Sequence, residues 1–168
     1  MELKAHALSE VLNIRIIEEL REKIQGIYGG GTYAELEKYP YGNYSFLVQL
    51  PCGPQKVDTL VKAIKKEFND MVAKGPDTAY LNKVKKQWLE QHKVNIKDNG
   101  IWVDKLLQYK LQGGDGDRFV HYEKYVNLLT PKDVQQAARL MLNGNEFLAI
   151  QMPESAKGGA GEEPKKGF

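Results

Sequence analysis

The chain has 168 residues, and its 24 lysines and arginines against 22 aspartates and glutamates give a formal net charge of +2. This length fits one domain around one hydrophobic core. The charges are interspersed in sign, so they give no indication of binding to nucleic acid or anionic lipid. The single cysteine, Cys52, excludes an internal disulfide and a zinc site built from several thiolates. No apolar run approaches the roughly 20 residues of a membrane span, and the first ten residues lack the apolar core of a signal peptide.

The first third of the chain predicts a helix followed by a β-hairpin. Apolar residues recur at spacings of three and four over residues 3–24, which predicts a long helix with a broad buried face. A segment rich in tyrosine and glycine follows, then the turn-like residues 39–43 and the strand-like run 44–50. We therefore expect two antiparallel strands with the helix packed on one face.

Helices dominate the rest of the chain, and several of their ends carry clear signals. Pro54 opens a second amphipathic helix, and Asp77 can cap a third. A break at Asp98-Asn99-Gly100 precedes a fourth helix, and a shorter helix follows it. The start of the last helix is marked by Thr130, whose side chain can cap it, by a proline at the first helical position and by an acid at the third. This helix is predicted to end at residues 143–144.

The end of the chain predicts one more strand and then a tail. Residues 147–152 are nearly all apolar, which predicts a strand covered on both faces. Residues 154–168 carry little hydrophobic content and predict a mobile tail, so the domain is expected over residues 1–153. The element order gives an α+β fold with an antiparallel or mixed sheet and helices packed on one face. Three strands are few for so many helices, and we expect the sheet to be incomplete as written, with a strand upstream of Met1.

Few residues offer metal or nucleophile chemistry. His6 and Glu10 lie four apart on the first helix, but two ligands do not make a zinc site. His92 and His121 have no visible partner in the sequence. Neither H-E-x-x-H nor its inversion H-x-x-E-H occurs, which excludes these compact zinc-peptidase signatures from the chain.

The run Gly29, Gly30 and Gly31 does not fit a nucleotide site. No lysine followed by serine or threonine comes after it, and a strand-like rather than helical sequence follows. The later glycine and the preceding strand of a dinucleotide fingerprint are also missing. The surrounding tyrosines could line a groove, but tyrosines on strands are about as often structural.

The residues around this run resemble a known family. Leu20-Arg21-Glu22-Lys23, then Gly26, then Tyr28, is similar to a signature of the pitrilysin or insulinase family of zinc metallopeptidases, in the half that does not bind metal. The resemblance continues through the hairpin, through Gly75-Pro76-Asp77-Thr78 with its lysine-bearing helix, and to the closing residues 147–153. This chain has Tyr80-Leu81 where the family commonly has glutamate and leucine, and it lacks the H-x-x-E-H motif.

The resemblance implies half of a metallopeptidase catalytic unit. It implies no metal in this chain, with zinc held by a partner domain of the same or a neighbouring chain. Arg21 and Tyr28 would then touch the peptide substrate and stabilise its oxyanion. The glycines 29–31 would form an edge along which a peptide pairs. By the same resemblance a bacterial periplasm or cell envelope is a plausible location, which the sequence itself leaves unknown.

Two alternatives stay open at this point. Arg21 could merely complement the end of the helix while Tyr28 packs and the glycines form a bulge. The whole domain could also be a non-enzymatic scaffold of the same fold that binds peptides or supports assembly.

Overall fold

The structure, a computed structural model, describes residues 1–114, 116–142 and 145–154 and consists of helices and one β-hairpin. Along the chain the elements are α1 (Glu2–Ile16), a π-helical segment (Ile17–Lys23), β1 (Gly31–Glu37), β2 (Asn43–Gln49), a 3-10 turn (Pro54–Lys56), α2 (Val57–Lys74), α3 (Thr78–Asn95), α4 (Asn99–Gln112), α5 (Asp117–Val120), α6 (Tyr122–Leu128) and α7 (Pro131–Met141). The predicted α+β fold is confirmed. None of the described helices is long and apolar enough to cross a membrane.

Helix α1 is the centre of the core. It is in contact with β1, α2, α3 and α7, so apolar residues are buried on several of its sides. Its buried residues are Ala5, Ala7, Leu8, Ser9, Val11, Leu12 and Ile16. A second, smaller cluster joins Ile16 and Leu20 to Ile27 and Leu60.

The hairpin presents one face to the helices. Strands β1 and β2 pair antiparallel from Gly31 opposite Gln49 to Glu37 opposite Asn43. Ala34, Leu36 and Phe46 pack against the main core, and the Phe46 ring meets the Phe68 ring of α2 edge to face at 5.8 Å. The opposite face of the hairpin is exposed, as the alternating burial along both strands shows. Helices on one face of an antiparallel sheet are therefore confirmed.

Side-chain hydrogen bonds cap three helix starts, at Asp77 and Thr130 as predicted, whereas α4 begins at Asn99, inside the break predicted over residues 98–100. The Asp77 carboxylate accepts from Ala79 N–H at 2.8 Å, and the Asp98 carboxylate accepts from Gly100 N–H at 2.7 Å. Thr130 and Asp133 form a reciprocal capping box at the start of α7. Helix α7 is described to Met141, and its predicted end at residues 143–144 lies outside the described residues.

The predicted strand over residues 147–152 is wrong. This segment forms no strand, and no described residue bonds to its backbone. Phe147 is 91% exposed, so its apolar character does not reflect burial here. A strand needs a neighbour for its N–H and C=O groups, and no described strand lies beside this segment. Residues 155–168, where the tail is predicted, lie outside the described ranges, and the boundary at residue 153 stays a prediction.

Candidate functional site

The turn after α1 is a π-helix and carries Arg21. The Ile24 N–H donates to Glu19 O at 3.1 Å, and the Gly26 N–H donates to Leu20 O at 2.8 Å. Leu20 is fully buried in the small cluster, whereas Arg21 is exposed. π-helical turns are rare in proteins, and those that do occur are often located at functional sites.

The residues between the π-helical segment and Tyr28 have a closely constrained backbone. Gln25 has a φ of 51°, in the left-handed region. A Cβ on Gly26 would lie 2.7 Å from the Leu60 side chain, so the chain comes close to α2 here. The Tyr28 N–H then donates to Pro51 O at 3.2 Å. This bond fixes the backbone of Tyr28, while 83% of its surface stays exposed.

The three consecutive glycines have different surroundings. Gly30 has a φ of +95°, and a Cβ there would lie 2.0 Å from Gln49 O. A Cβ on Gly31 would lie 3.1 Å from the Asn13 side-chain oxygen, whereas one on Gly29 would meet nothing within 4 Å. The neighbouring strand therefore requires Gly30, whereas a side chain at Gly31 would need only a small shift of the Asn13 side chain of α1.

Buried hydroxyl groups hold the start of β1 on α1. The Ser9 hydroxyl donates to Thr32 O and the Thr32 hydroxyl donates to Ser9 O, each at 2.7 Å. These reciprocal bonds fix the glycine run against α1. The second edge of β1 has no strand partner among the described residues.

The π-helical segment is also bound to α3 through Glu18. The Tyr80 phenol donates to Glu18 Oε2 at 2.6 Å, and Lys83 Nζ lies 3.5 Å from Glu18 Oε1. The Tyr80 bond, with a smaller contribution from Lys83, holds the pKa of Glu18 below its ordinary value. The same bond raises the pKa of Tyr80. At neutral pH the pair is therefore a phenol donating to an ionised carboxylate.

A polar cavity of about 230 Å³ lies beside this bond and is lined by Arg15, Glu18, Glu19, Lys23, Glu67, Asp77 and Tyr80. Arg15 Nε lies 2.7 Å from the buried Glu67 Oε2. That oxygen accepts no hydrogen bond, so the contact is an ion pair in which the N–H is not aimed at the oxygen. Arg21 and Tyr28 are not among the residues that line the cavity.

Arg21 lies within the π-helical segment, and Tyr28 lies in the connection between that segment and β1. Both are exposed, and neither side chain has a hydrogen-bond or ion-pair partner among the residues that the structure describes. Sequence reasoning missed the bond between Glu18 and Tyr80. The available signal was Tyr80 itself, a phenol at a position where the resembled family commonly has glutamate.

The histidines form no metal site in the described ranges. His6 is exposed, and no group of three or more histidine, cysteine, aspartate or glutamate side chains there could hold a metal ion. The His92 ring contacts Phe119 and Tyr122, and burial lowers the pKa of this histidine. His121 lies 3.5 Å from Asp117. The described residues therefore do not fit zinc.

The first half of the chain matches a protein-family model. Residues 1–88 match the model described as the peptidase M16 inactive domain. The chain belongs to this family. The resemblance to zinc metallopeptidases of the pitrilysin type is thereby confirmed. No curated protein matches the chain.

Solved structures support the same fold for this M16 inactive domain. The periplasmic protease PqqL of Escherichia coli aligns with a TM-score of 0.71 at 16% identity, over 84% of this chain and 16% of that protein. A protease of Helicobacter pylori aligns with a TM-score of 0.71 at 17% identity, over 84% of this chain and 34% of that one. A peptidase M16 inactive domain of Pseudomonas fluorescens gives a TM-score of 0.70, with 19% identity and the same coverages of 84% and 34%. The chain thus spans about a third or less of these proteins.

Proposed function

We propose that this M16 inactive domain is the non-catalytic half of a zinc metalloendopeptidase and that it closes over a zinc-bearing domain of the same or a neighbouring chain. The observation that supports this most directly is the state of Arg21 and Tyr28. Both side chains are exposed donors without a partner in the described part of the chain, and the backbone of Tyr28 is fixed by its bond to Pro51 O. An acceptor for them would come from outside the domain.

A guanidinium and a phenol suit the oxygen of a peptide carbonyl under attack. Both donate hydrogen bonds, and the oxygen gains negative charge as the tetrahedral intermediate forms. A donor already aimed at that position stabilises the transition state by roughly 3 kcal/mol. Closure against a second domain would exclude water and strengthen the interaction, because the local dielectric constant falls.

The edge of β1 that has no strand partner among the described residues offers a place for the extended peptide. Gly29 has open space around its Cα, and Gly31 is the first residue of the strand. A peptide that pairs with the backbone at Gly29, Gly30 and Gly31 would be held largely independently of its sequence. The bound peptide would then lie next to Tyr28, the residue that precedes Gly29.

Zinc and the activated water belong to the partner domain in this proposal. The chemistry that zinc supplies there is polarisation of the carbonyl and activation of water, and the residues of this chain only bind and orient the peptide. The location that we propose is the bacterial periplasm or cell envelope, because one structural relative is a periplasmic protease.

The test uses the complex of this chain with the zinc-bearing domain that co-purifies with it. We expect Tyr28→Phe and Arg21→Ala each to lower kcat for a fluorogenic peptide by about 100-fold, with KM within about twofold, because these donors act mainly on the transition state. Tyr41→Phe, at another exposed tyrosine, and Arg118→Ala, at another exposed arginine, are the matched controls and should leave kcat unchanged.

Two results would overturn the proposal. One is an unchanged kcat in both the Arg21 and the Tyr28 variants. The other is peptide turnover by the isolated chain with added zinc that a chelator abolishes, because the catalytic metal would then lie in this chain.

A second candidate function is assembly without catalysis, and helix α4 favours it. Four apolar side chains on this helix, Val103, Leu106, Leu107 and Leu111, are 54–69% exposed. Unpaired apolar surface of this kind often marks an interaction site. If assembly is the function, Leu107→Asp should release co-purifying proteins, whereas Arg21→Ala should have no effect in any assay.

A further inference from the structure

Residues 147–152 have the form of a β-strand but no neighbouring strand. The backbone from residue 145 to residue 153 runs without a helix, turn or bend. The segment begins beside α2, where Glu146 Oε1 lies 2.7 Å from Lys65 Nζ. No described residue bonds to the backbone N–H or C=O groups of residues 147–152, and the described sheet contains only β1 and β2.

The two faces of this segment differ in exposure. Successive side chains of an extended chain point to opposite faces, so Leu148, Ile150 and Met152 share one face. Leu148 and Ile150 are about half exposed and Met152 is partly buried, whereas Phe147, on the other face, is almost fully exposed. Exposed apolar side chains on a backbone without hydrogen-bond partners are typical of an interaction site.

The sequence of the segment also differs from that of an edge strand. Edge strands commonly carry charged residues or proline, which oppose further pairing. Strand β1 has exposed Glu35 and Glu37, whereas residues 147–152 contain neither a charged residue nor a proline. A charged side chain placed against this uncharged row would lose water without gaining a partner, which is unfavourable. The segment therefore suits an apolar, uncharged neighbour.

An extended strand is the partner that meets both requirements. The backbone groups of residues 147–152 form rows of donors and acceptors, and another strand supplies the matching row. Residues 155–168 do not suit this role, because they contain charged residues, several glycines and a proline and no apolar run. In the solved relatives, most of the polypeptide lies outside the part that aligns with this chain.

We propose that residues 147–152 pair with an apolar, uncharged strand of the zinc-bearing domain and that this pairing joins the two domains. The strand bonds along one side of the segment, and its side chains cover the exposed apolar side chains there. The source of the strand rests on the proposed function. The type of partner rests on the segment itself.

The test measures amide hydrogen exchange at each of residues 147–152 by NMR, in the isolated chain and in its complex with the zinc-bearing domain. Successive N–H groups of a strand point to opposite sides, so one added strand bonds to the N–H groups of alternate residues. We expect exchange at alternate residues to slow by about 100-fold in the complex, with little change at the residues between them. Equal exchange in the complex and in the isolated chain would overturn the inference. Protection in the isolated chain that rises with its concentration would assign the pairing to a second copy and would also overturn it.

A matched pair of proline substitutions tests the backbone bonds directly. Ala149→Pro and Ile150→Pro each remove one N–H, and these two groups point to opposite sides of the segment. The proline at the protected position should weaken the complex by about tenfold, because a backbone hydrogen bond is lost. The other proline should change the affinity by less than about twofold, since an edge strand tolerates proline where its N–H faces solvent. Ile150→Ala measures the separate contribution of that side chain, and calorimetry measures the affinities. Equal effects of the two prolines would contradict strand pairing.

Helix α4 provides the control for the other exposed apolar surface. Leu107 is exposed to a similar extent as Ile150, and Leu107→Lys should leave the affinity and the exchange of residues 147–152 unchanged. A complex weakened by Leu107→Lys but by neither proline would place the interface on α4 and overturn the inference.

Activity separates this inference from the proposed function. If alternate residues are protected in the complex while Arg21→Ala and Tyr28→Phe leave kcat unchanged, the strand pairing stands and the proposed catalytic role fails. If these two variants lower kcat while exchange at residues 147–152 is the same in the complex and in the isolated chain, the strand pairing fails alone.

Discussion

Helices α1 and α4 have similar lengths, 15 and 14 residues, and both are rich in leucine, isoleucine and valine. In α1, Leu8 and Leu12 are fully buried. In α4, Leu106 and Leu107 are 54% and 55% exposed, and none of its described side chains is buried. The difference lies in the surroundings, because α1 is covered by the hairpin and three helices, whereas no described element covers the apolar stripe of α4.

This comparison separates two properties that a sequence pattern does not distinguish, namely having an apolar helix face and having that face buried. An apolar stripe at helical spacing shows that a helix has a face suited to burial. It does not show what buries that face, or whether anything in the same chain does. The stability of this domain should therefore depend on α1 and hardly at all on the α4 stripe.

The largest expected effect comes from matched leucine truncations in the two helices. Leu12→Ala leaves a cavity in the centre of the core and should lower the free energy of unfolding by about 2–5 kcal/mol. Leu107→Ala removes an exposed side chain and should change it by less than about 0.5 kcal/mol. Urea unfolding followed by circular dichroism measures both. Equal losses would show that α4 is covered in solution and would remove the contrast between the two helices.

The next effect concerns the buried ion pair between α1 and α2. Glu67→Gln leaves Arg15 without its partner and should lower the free energy of unfolding by about 2 kcal/mol. This loss is smaller than that expected for a fully buried ion pair, because 20% of the Arg15 side chain is exposed to solvent. Replacing both residues, in Arg15→Met with Glu67→Leu, should recover most of the loss. A double variant as unstable as Glu67→Gln would contradict this account of the pair.

The fold was predictable where the signal is local. Thr130 and Asp133 form the expected capping box, and Asp77 caps the helix that it precedes. The error over residues 147–152 has the opposite cause. An apolar run forms a strand only where another strand lies beside it. A sequence of six residues does not show whether such a neighbouring strand exists.

The candidate site came from a family signature, not from local chemistry. Its residues, Arg21 and Tyr28, stay a prediction, and the structure adds that both are exposed. The bond between Glu18 and Tyr80 joins residues 62 positions apart, so no local pattern could reveal it. The glycine run shows the same limit, since the steric demand at Gly30 comes from Gln49 on the neighbouring strand.

The smallest expected effect is a pH dependence at the junction of α1 and α7. Lys4 of α1 lies 2.6 Å from the Asp133 carboxylate, and this contact, with the bonds from Thr130, holds the pKa of Asp133 below its ordinary value of 3.8. A lowered carboxyl pKa means that the folded state binds fewer protons than the unfolded state, so this stabilisation is full above pH 3.8 and is lost as the pH falls through the lower, folded pKa. Asp133→Asn should therefore cost less than about 1 kcal/mol at pH 6, because both groups are partly exposed, and the cost should decrease as the pH is lowered below 3.8. Asp104→Asn, on the exposed surface of α4, is the control and should cost nothing measurable at any pH in this range. A cost of Asp133→Asn that stays constant with pH would assign the effect to the geometry of the cap, not to the charge that links α7 to α1.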